Sequence, residues 1–275
     1  MTQVPVKPAA QPSFDAPPVS EVVLGIEFRP LFSLRPIELA GLRESWREAY
    51  PLVQEQPPLP SHIETPQGGQ SVQFTIGPAP MTRLWFMSPD LSELVQIQQD
   101  RLSVNWRKAA DDAKYPEYPA LRRAFKRRLA DLTAFVAARQ IGAVAVTQVE
   151  VAYRNAIAVP KGEVGRLDLV LRHWHRPKVH LGEPEQAKAT LVYAVPDVGR
   201  KPVRLYVEAD PATFVDGRPA VQLSLTMRGA PVGETAASAL RFMDSANRHM
   251  VRAFADLTTE AMHQQWRRRP DGLSR

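Results

Sequence analysis

The sequence predicts an α+β protein of duplicated β-α-βββ-α halves, with long helices packed on a curved antiparallel sheet. Three observations carry that expectation. Short segments in which apolar and polar residues alternate recur along the chain, the pattern of strands with one buried face. Two long stretches place apolar residues three and four apart, the pattern of helices lying on such a sheet. Finally, three segments of the first half recur in order in the second at nearly one offset. Residues 19–24 lie over 146–151 at 127, residues 94–97 over 220–223 at 126, and residues 129–133 over 254–258 at 125.

Val22, Leu24, Ile26 and Phe28 alternate with Val23, Gly25, Glu27 and Arg29 and define the first strand. A helix follows, with Pro36 in its first turn and Leu39, Leu42, Trp46 and Ala49 on one face. Pro51, Pro57, Pro58 and Pro60 predict an irregular connection. Strands are expected at 72–76 and 83–87, then a hairpin whose arms are 93–98 and 102–106. Leu121, Phe125, Leu129, Leu132 and Val136 form the stripe of the first long helix. In the second half, strands are expected around Val149–Tyr153, Leu167–Leu171, Leu191–Val195, Val203–Val207 and Val221–Met227. One continuous helix is expected to carry Leu240, Met243, Met250, Phe254, Leu257 and Ala261. The resulting divisions are a disordered proline-rich arm over 1–18, a first half over 19–140, a second over 141–269 and a flexible tail over 270–275.

Composition narrows the function classes. Apolar residues make up 44% and charged residues 23%, an ordinary globular mix with no run of the roughly 18 apolar residues that a spanning helix needs. There is no cysteine, so disulfides, thiolate metal sites and cysteine nucleophiles are excluded. A bacterial cytoplasmic location is the expectation. The net charge of +6 permits an anionic partner without demanding one.

Several blocks together resemble a sporadically distributed, uncharacterised family of bacterial proteins. They are Pro17-Pro18-Val19-Ser20-Glu21-Val22-Val23-Leu24, then Leu94-Val95-Gln96-Ile97-Gln98 with Arg101, Asn105-Trp106-Arg107 and Tyr115-Pro116. Val149-Glu150-Val151-Ala152-Tyr153-Arg154-Asn155 and a final block from Phe254 to Trp266 complete the likeness. The resemblance implies no activity, cofactor or partner. It implies a histidine near Asn247, a position at which this chain holds an amide. At the level of layout alone, a doubled sheet with long helices resembles TATA-binding-protein-like and helix-grip folds, and such a likeness carries no function.

Candidate residues fall into five groups. Gln96 and Gln98 face away from Val95 and Ile97, and Gln222 holds the matching place in the second half; they form a polar sheet face that is either solvated or binding. Asn105, Trp106, Arg107 and Tyr115 make a candidate recognition patch of an amide, a stacking ring and a cation. Tyr153 and Asn155 share a strand face, and Asn247 interrupts the last apolar stripe; a buried amide there must find a partner. Arg122, Arg123, Lys126, Arg127 and Arg128 are the candidate nucleic-acid contacts, with Arg267, Arg268 and Arg269 as a second basic run. His173 and His175, two apart on an expected strand, and His180 are weak metal candidates, since Arg172, Arg176 and Lys178 would repel a cation.

No phosphate-loop, nucleophile-elbow, paired-carboxylate or HExxH pattern is present. The expectation is therefore a non-catalytic binding or accessory protein that needs no cofactor and holds a peptide, a protein or a small ligand on its sheet. A nucleic-acid-binding protein of a mobile-element or defence kind is the first rival, and an enzyme with an unfamiliar site near His173 and His175 the second. Homodimerisation through the final helix is also open.

Overall fold

A computed structural model of the chain describes residues 11–64, 70–72, 82–110, 112–175, 180–182 and 184–269. The architecture is α+β, with one nine-stranded antiparallel sheet and two long helices on one of its faces. The first part of the chain supplies β1 (Val19–Phe28), α1 (Pro36–Trp46), β2 (Leu52–Gln56), β3 (His62–Glu64), β4 (Gln70–Val72), β5 (Arg83–Met87), β6 (Glu93–Gln98), β7 (Arg101–Arg107) and α2 (Glu117–Ala138). The rest supplies β8 (Val146–Ala158), β9 (Ala189–Ala194), β10 (Arg200–Thr213), β11 (Pro219–Ala230), α3 (Ala236–Leu257) and α4 (Glu260–Gln265).

The strand order is β2-β5-β6-β7-β1-β8-β11-β10-β9, with β3 and β4 forming a separate two-stranded hairpin. The two strands that open the matched segments, β1 and β8, pair at the centre, and Leu24 lies opposite Val151. On the outer flanks Leu24 faces Val104 of β7, and Val151 faces Met227 of β11. Strands next to the centre thus correspond in position. The match of residues 94–97 with 220–223 does not respect this, because β6 is second from the centre and β11 is first.

Alternation decides which face each side chain joins. Val22, Leu24, Ile26 and Phe28 of β1 join the core with Val149 and Val151 of β8 and Leu102 and Val104 of β7. The same core takes Leu121, Phe125, Leu129, Leu132 and Val136 of α2 and Ala239, Met243, Ala246 and Met250 of α3. Both helices have 22 residues. Thr235 caps α3, its hydroxyl accepting the N–H of Ser238. No helix among the described residues is long and apolar enough to cross a membrane.

Three local expectations differ. The proline-rich connection contains β2, which fits between Pro51 and Pro57; it is an edge strand, where missing donors are tolerated. Leu167, Leu169 and Leu171 alternate like a strand but form a 3-10 turn, Leu167–Leu169, in which the carbonyl of Leu167 accepts the N–H groups of both Val170 and Leu171. The last helical stripe is broken after Leu257, where Thr258 and Thr259 are extended and the Thr259 hydroxyl starts α4 by accepting the N–H of Met262. The strand expected at 72–76 lies mostly outside the described residues.

The arm expected to be disordered over 1–18 is docked in its described part. Phe14 pairs with Arg268 as an isolated bridge, and the N–H groups of Asp15 and Ala16 donate to the carbonyls of Arg267 and Trp266. The Phe14 ring meets Phe254, His263 and Trp266 at 5.5–6.1 Å between centroids. The apolar ring finds a buried aromatic site, and that offsets the entropy of ordering the arm. The tail over 270–275 lies outside the described residues.

Candidate functional site

The face of the sheet away from the helices is polar and yet largely buried. Trp85, Gln96, Ser103, Gly25, Glu150, Arg228 and Arg204 are successive cross-strand neighbours from β5 to β10, so one polar row crosses seven strands. A second row runs Gln98, Arg101, Glu27 and Gln148. Charges on these rows are matched. Arg101 donates to Glu27 at 2.5 Å with both side chains 9% exposed, and Arg228 donates to Glu150 at 2.6 Å. Neutral amides join them, as where the Gln96 amide donates to Asn105 and the Asn105 amide donates to Glu21. A buried charge is tolerated only when paired and hydrogen-bonded, and this face meets that condition.

Gly25 sits at the middle of the long row. A Cβ there would come within 2.9 Å of the Ser103 hydroxyl oxygen. The missing side chain leaves a cavity of about 10 Å³, room for one water, among Glu27, Arg101, Ser103, Gln148 and Glu150. The Arg101 Nε is buried there without a hydrogen-bond partner.

The chain itself crosses this face between β2 and β3. The Gln98 side chain pairs with the main chain of Leu59 in both directions, its oxygen accepting the Leu59 N–H and its amide donating to the Leu59 carbonyl, each at 3.0 Å. Arg101 donates to the Pro60 carbonyl at 3.0 Å, and the Ser61 hydroxyl donates to Glu27. On the far half of the sheet, Glu64 accepts from Arg204 at 2.6 Å and from the Tyr206 hydroxyl at 2.8 Å, with Arg228 at 3.9 Å. The Glu64 side chain is 4% exposed. Burial, reinforced by Glu64, pushes the Tyr206 phenol up to about 12, so it remains a donor across the ordinary pH range. The segment is held as a bound extended peptide would be, by main-chain contacts at one end and a carboxylate clamp at the other.

The sheet divides the expected recognition patch between its two faces. Asn105 and Arg107 stay on the polar side, where Arg107 donates to the Leu91 carbonyl. Trp106 turns to the helix side and packs against Tyr115 at 5.6 Å. There Tyr115 and Tyr153 share a 3.2 Å hydroxyl contact, and the Tyr153 hydroxyl donates to Asn247 at 2.8 Å. Burial pushes the Tyr153 phenol up to about 12 and Tyr115 higher still. Asn155 is buried on the same side and donates to the Leu223 carbonyl. Trp106, Tyr115, Tyr153 and Asn247 form one packing network in the core, and the partner demanded by Asn247 is Tyr153.

The other candidates are dispersed. Arg122 is engaged by Asp244 and Arg128 by Asp131, while Arg123, Lys126 and Arg127 are exposed on α2. Arg269 pairs with Asp15, and Arg268 reaches His263. His173, His175 and His180 are exposed in a loop after the 3-10 turn, so the strand phase that would have aimed two of them together is absent. No group of three potential metal ligands occurs among the described residues.

Sequence reasoning located Gln96, Gln98 and Asn105 but missed Glu27, Glu64, Arg101, Arg204, Tyr206 and Arg228. The signal was available for Arg204, Tyr206 and Arg228, which alternate with Val203, Leu205, Val207 and Met227. None was available for Glu64, whose place depends on the path of a connection. No protein-family model matches the chain, and no curated protein matches it.

Proposed function

We propose that the chain is a non-catalytic binding protein that holds an extended, acidic peptide or protein segment across the polar face of its sheet. The observation that carries this reading is the way that face grips residues 59–64 of its own chain. Gln98 reads main chain in both directions, Arg101 takes a carbonyl, and Arg204 with Tyr206 takes a carboxylate. None of these contacts requires a particular apolar side chain, so a foreign strand with a suitably placed acidic residue meets the same groups. The test uses a fluorescent peptide with the sequence of residues 57–64 and the Ser61→Ala/Glu64→Gln variant, whose own segment is held less tightly. Anisotropy should rise with this variant and stay flat when Arg204→Gln is added. A flat titration with both proteins would overturn the proposal.

We further infer that the two halves are related by duplication and that the binding face spans both. Support comes from the central pairing of β1 with β8, from the return of β7 and β11 to those strands, and from the equal helices that follow. An experimental structure in which residues 19–135 fail to superpose on 146–261 would refute it.

A further inference from the structure

The sheet ends in two edge strands that differ in protection. β2 reads Leu-Val-Gln-Glu-Gln between Pro51 and Pro57, a short polar edge of the kind that resists pairing. β9 reads Ala-Thr-Leu-Val-Tyr-Ala, with no charge or proline inside it, and Leu191, Val192 and Tyr193 are 39, 52 and 42% exposed. It is the terminal strand of the sheet among the described residues.

The direction of its free backbone groups follows from one hydrogen bond. The N–H of Val195 donates inward to the Val203 carbonyl at 2.8 Å, so Leu191 and Tyr193 also turn their backbone groups toward β10. Thr190, Val192 and Ala194 therefore point their N–H and C=O groups outward. We propose that this edge pairs with the β9 of a second copy, antiparallel, about a two-fold axis through Val192, extending the sheet across both copies.

A register centred on Val192 keeps every outward donor of the strand. An axis through Val192 sets Val192 against itself and Thr190 against Ala194 of the second copy, all in outward phase, so every pair can exchange main-chain hydrogen bonds. Pro196 is next in phase, and its missing N–H ends the ladder at that point. An axis through Ala194 would set Val192 against Pro196 and lose that donor. With the Val192 axis, Leu191 faces Tyr193 of the second copy in the closer, non-hydrogen-bonded pair, where aromatic–aliphatic contacts are favourable. Both lie on the core side, beside Val207 and Leu205. On the polar side Glu208 is exposed beside Thr190, and Arg204 lies beside Ala194.

The absence of cysteine provides a direct test on the full chain. Val192→Cys places two thiols on the axis with Cα atoms about 5.5 Å apart, within disulfide reach. It should oxidise to a covalent dimer, whereas Val215→Cys, at a fully exposed turn residue, should not. Light scattering should give twice the chain mass for the wild type and the single mass for Val192→Pro, which removes an outward donor and no donor to β10. A monomeric wild type, a dimeric Val192→Pro or equal crosslinking of the two thiol variants would overturn the proposal. Uptake of a synthetic strand of another sequence by a monomeric chain would assign the edge to a foreign partner instead.

Discussion

On the helix side of the sheet, Val22, Leu24, Ile26 and Phe28 meet α2 and α3 in a continuous apolar core. On the other side, Glu27, Arg101, Gln148, Arg204 and Arg228 are each under 10% exposed and are held by ion pairs, amides and a crossing segment. The two faces are buried to a similar depth by opposite means. Apolar packing is non-directional and tolerates many partners of the right volume. The ionic face is directional, gains little net stability from its pairs, and fails when one member is lost. That contrast marks the polar face as the one whose residue identities are specific.

The comparison can be broken at graded cost. The largest loss is expected for Phe125→Ala, a fully buried ring on α2, at about 3–5 kcal/mol in a urea titration. Next is Glu64→Ala at about 3 kcal/mol, since it removes the buried carboxylate that Arg204 and the Tyr206 hydroxyl share, while Arg228 keeps Glu150. An equal loss from exposed Glu208→Ala would show that the buried clamp is nothing special. Tyr153→Phe should cost about 2 kcal/mol by leaving the Asn247 oxygen without its donor, again by urea titration. Arg122→Ala, whose pair with Asp244 is partly exposed, should cost less than about 1 kcal/mol.

A pH titration sharpens the picture at the clasp between the arm and α4. Burial pushes the His263 imidazole below its ordinary value, with Arg268 and Arg172 adding and Glu260 opposing. Thr258 donates to the Phe254 carbonyl and Arg268 reaches Nδ1, so a neutral ring with its proton on Nε2 fits the site. The unfolded chain binds the proton more readily, so stability is full above about pH 6.5 and falls as pH drops toward the lowered folded value. The unfolding midpoint should decrease from pH 7.5 to 5.5, and His263→Asn should flatten that slope.

Most strands and both long helices were legible because their side chains alternate or repeat with the period of one buried face. β2 was hidden by its prolines, and the 3-10 turn at Leu167–Leu169 imitated a strand over too few residues to separate the two. The polar face was legible only in part. Gln96 and Gln98 could be assigned to the second face of a strand by alternation, but which face a connection covers is a tertiary fact. Trp106 was grouped with Asn105 and Arg107 by adjacency, although neighbours on a strand point apart.

The central pairing of β1 with β8 also has a consequence for the order of events during synthesis. β1 is made before β8, and one of its flanks has no partner until that strand, more than a hundred residues later, has left the ribosome. Until then the nascent chain carries an unsatisfied strand flank in the middle of its future sheet. Translation speed through residues 107–146 therefore becomes a variable in the folding yield, and slowing it should lengthen the interval in which chaperones or wrong partners can act.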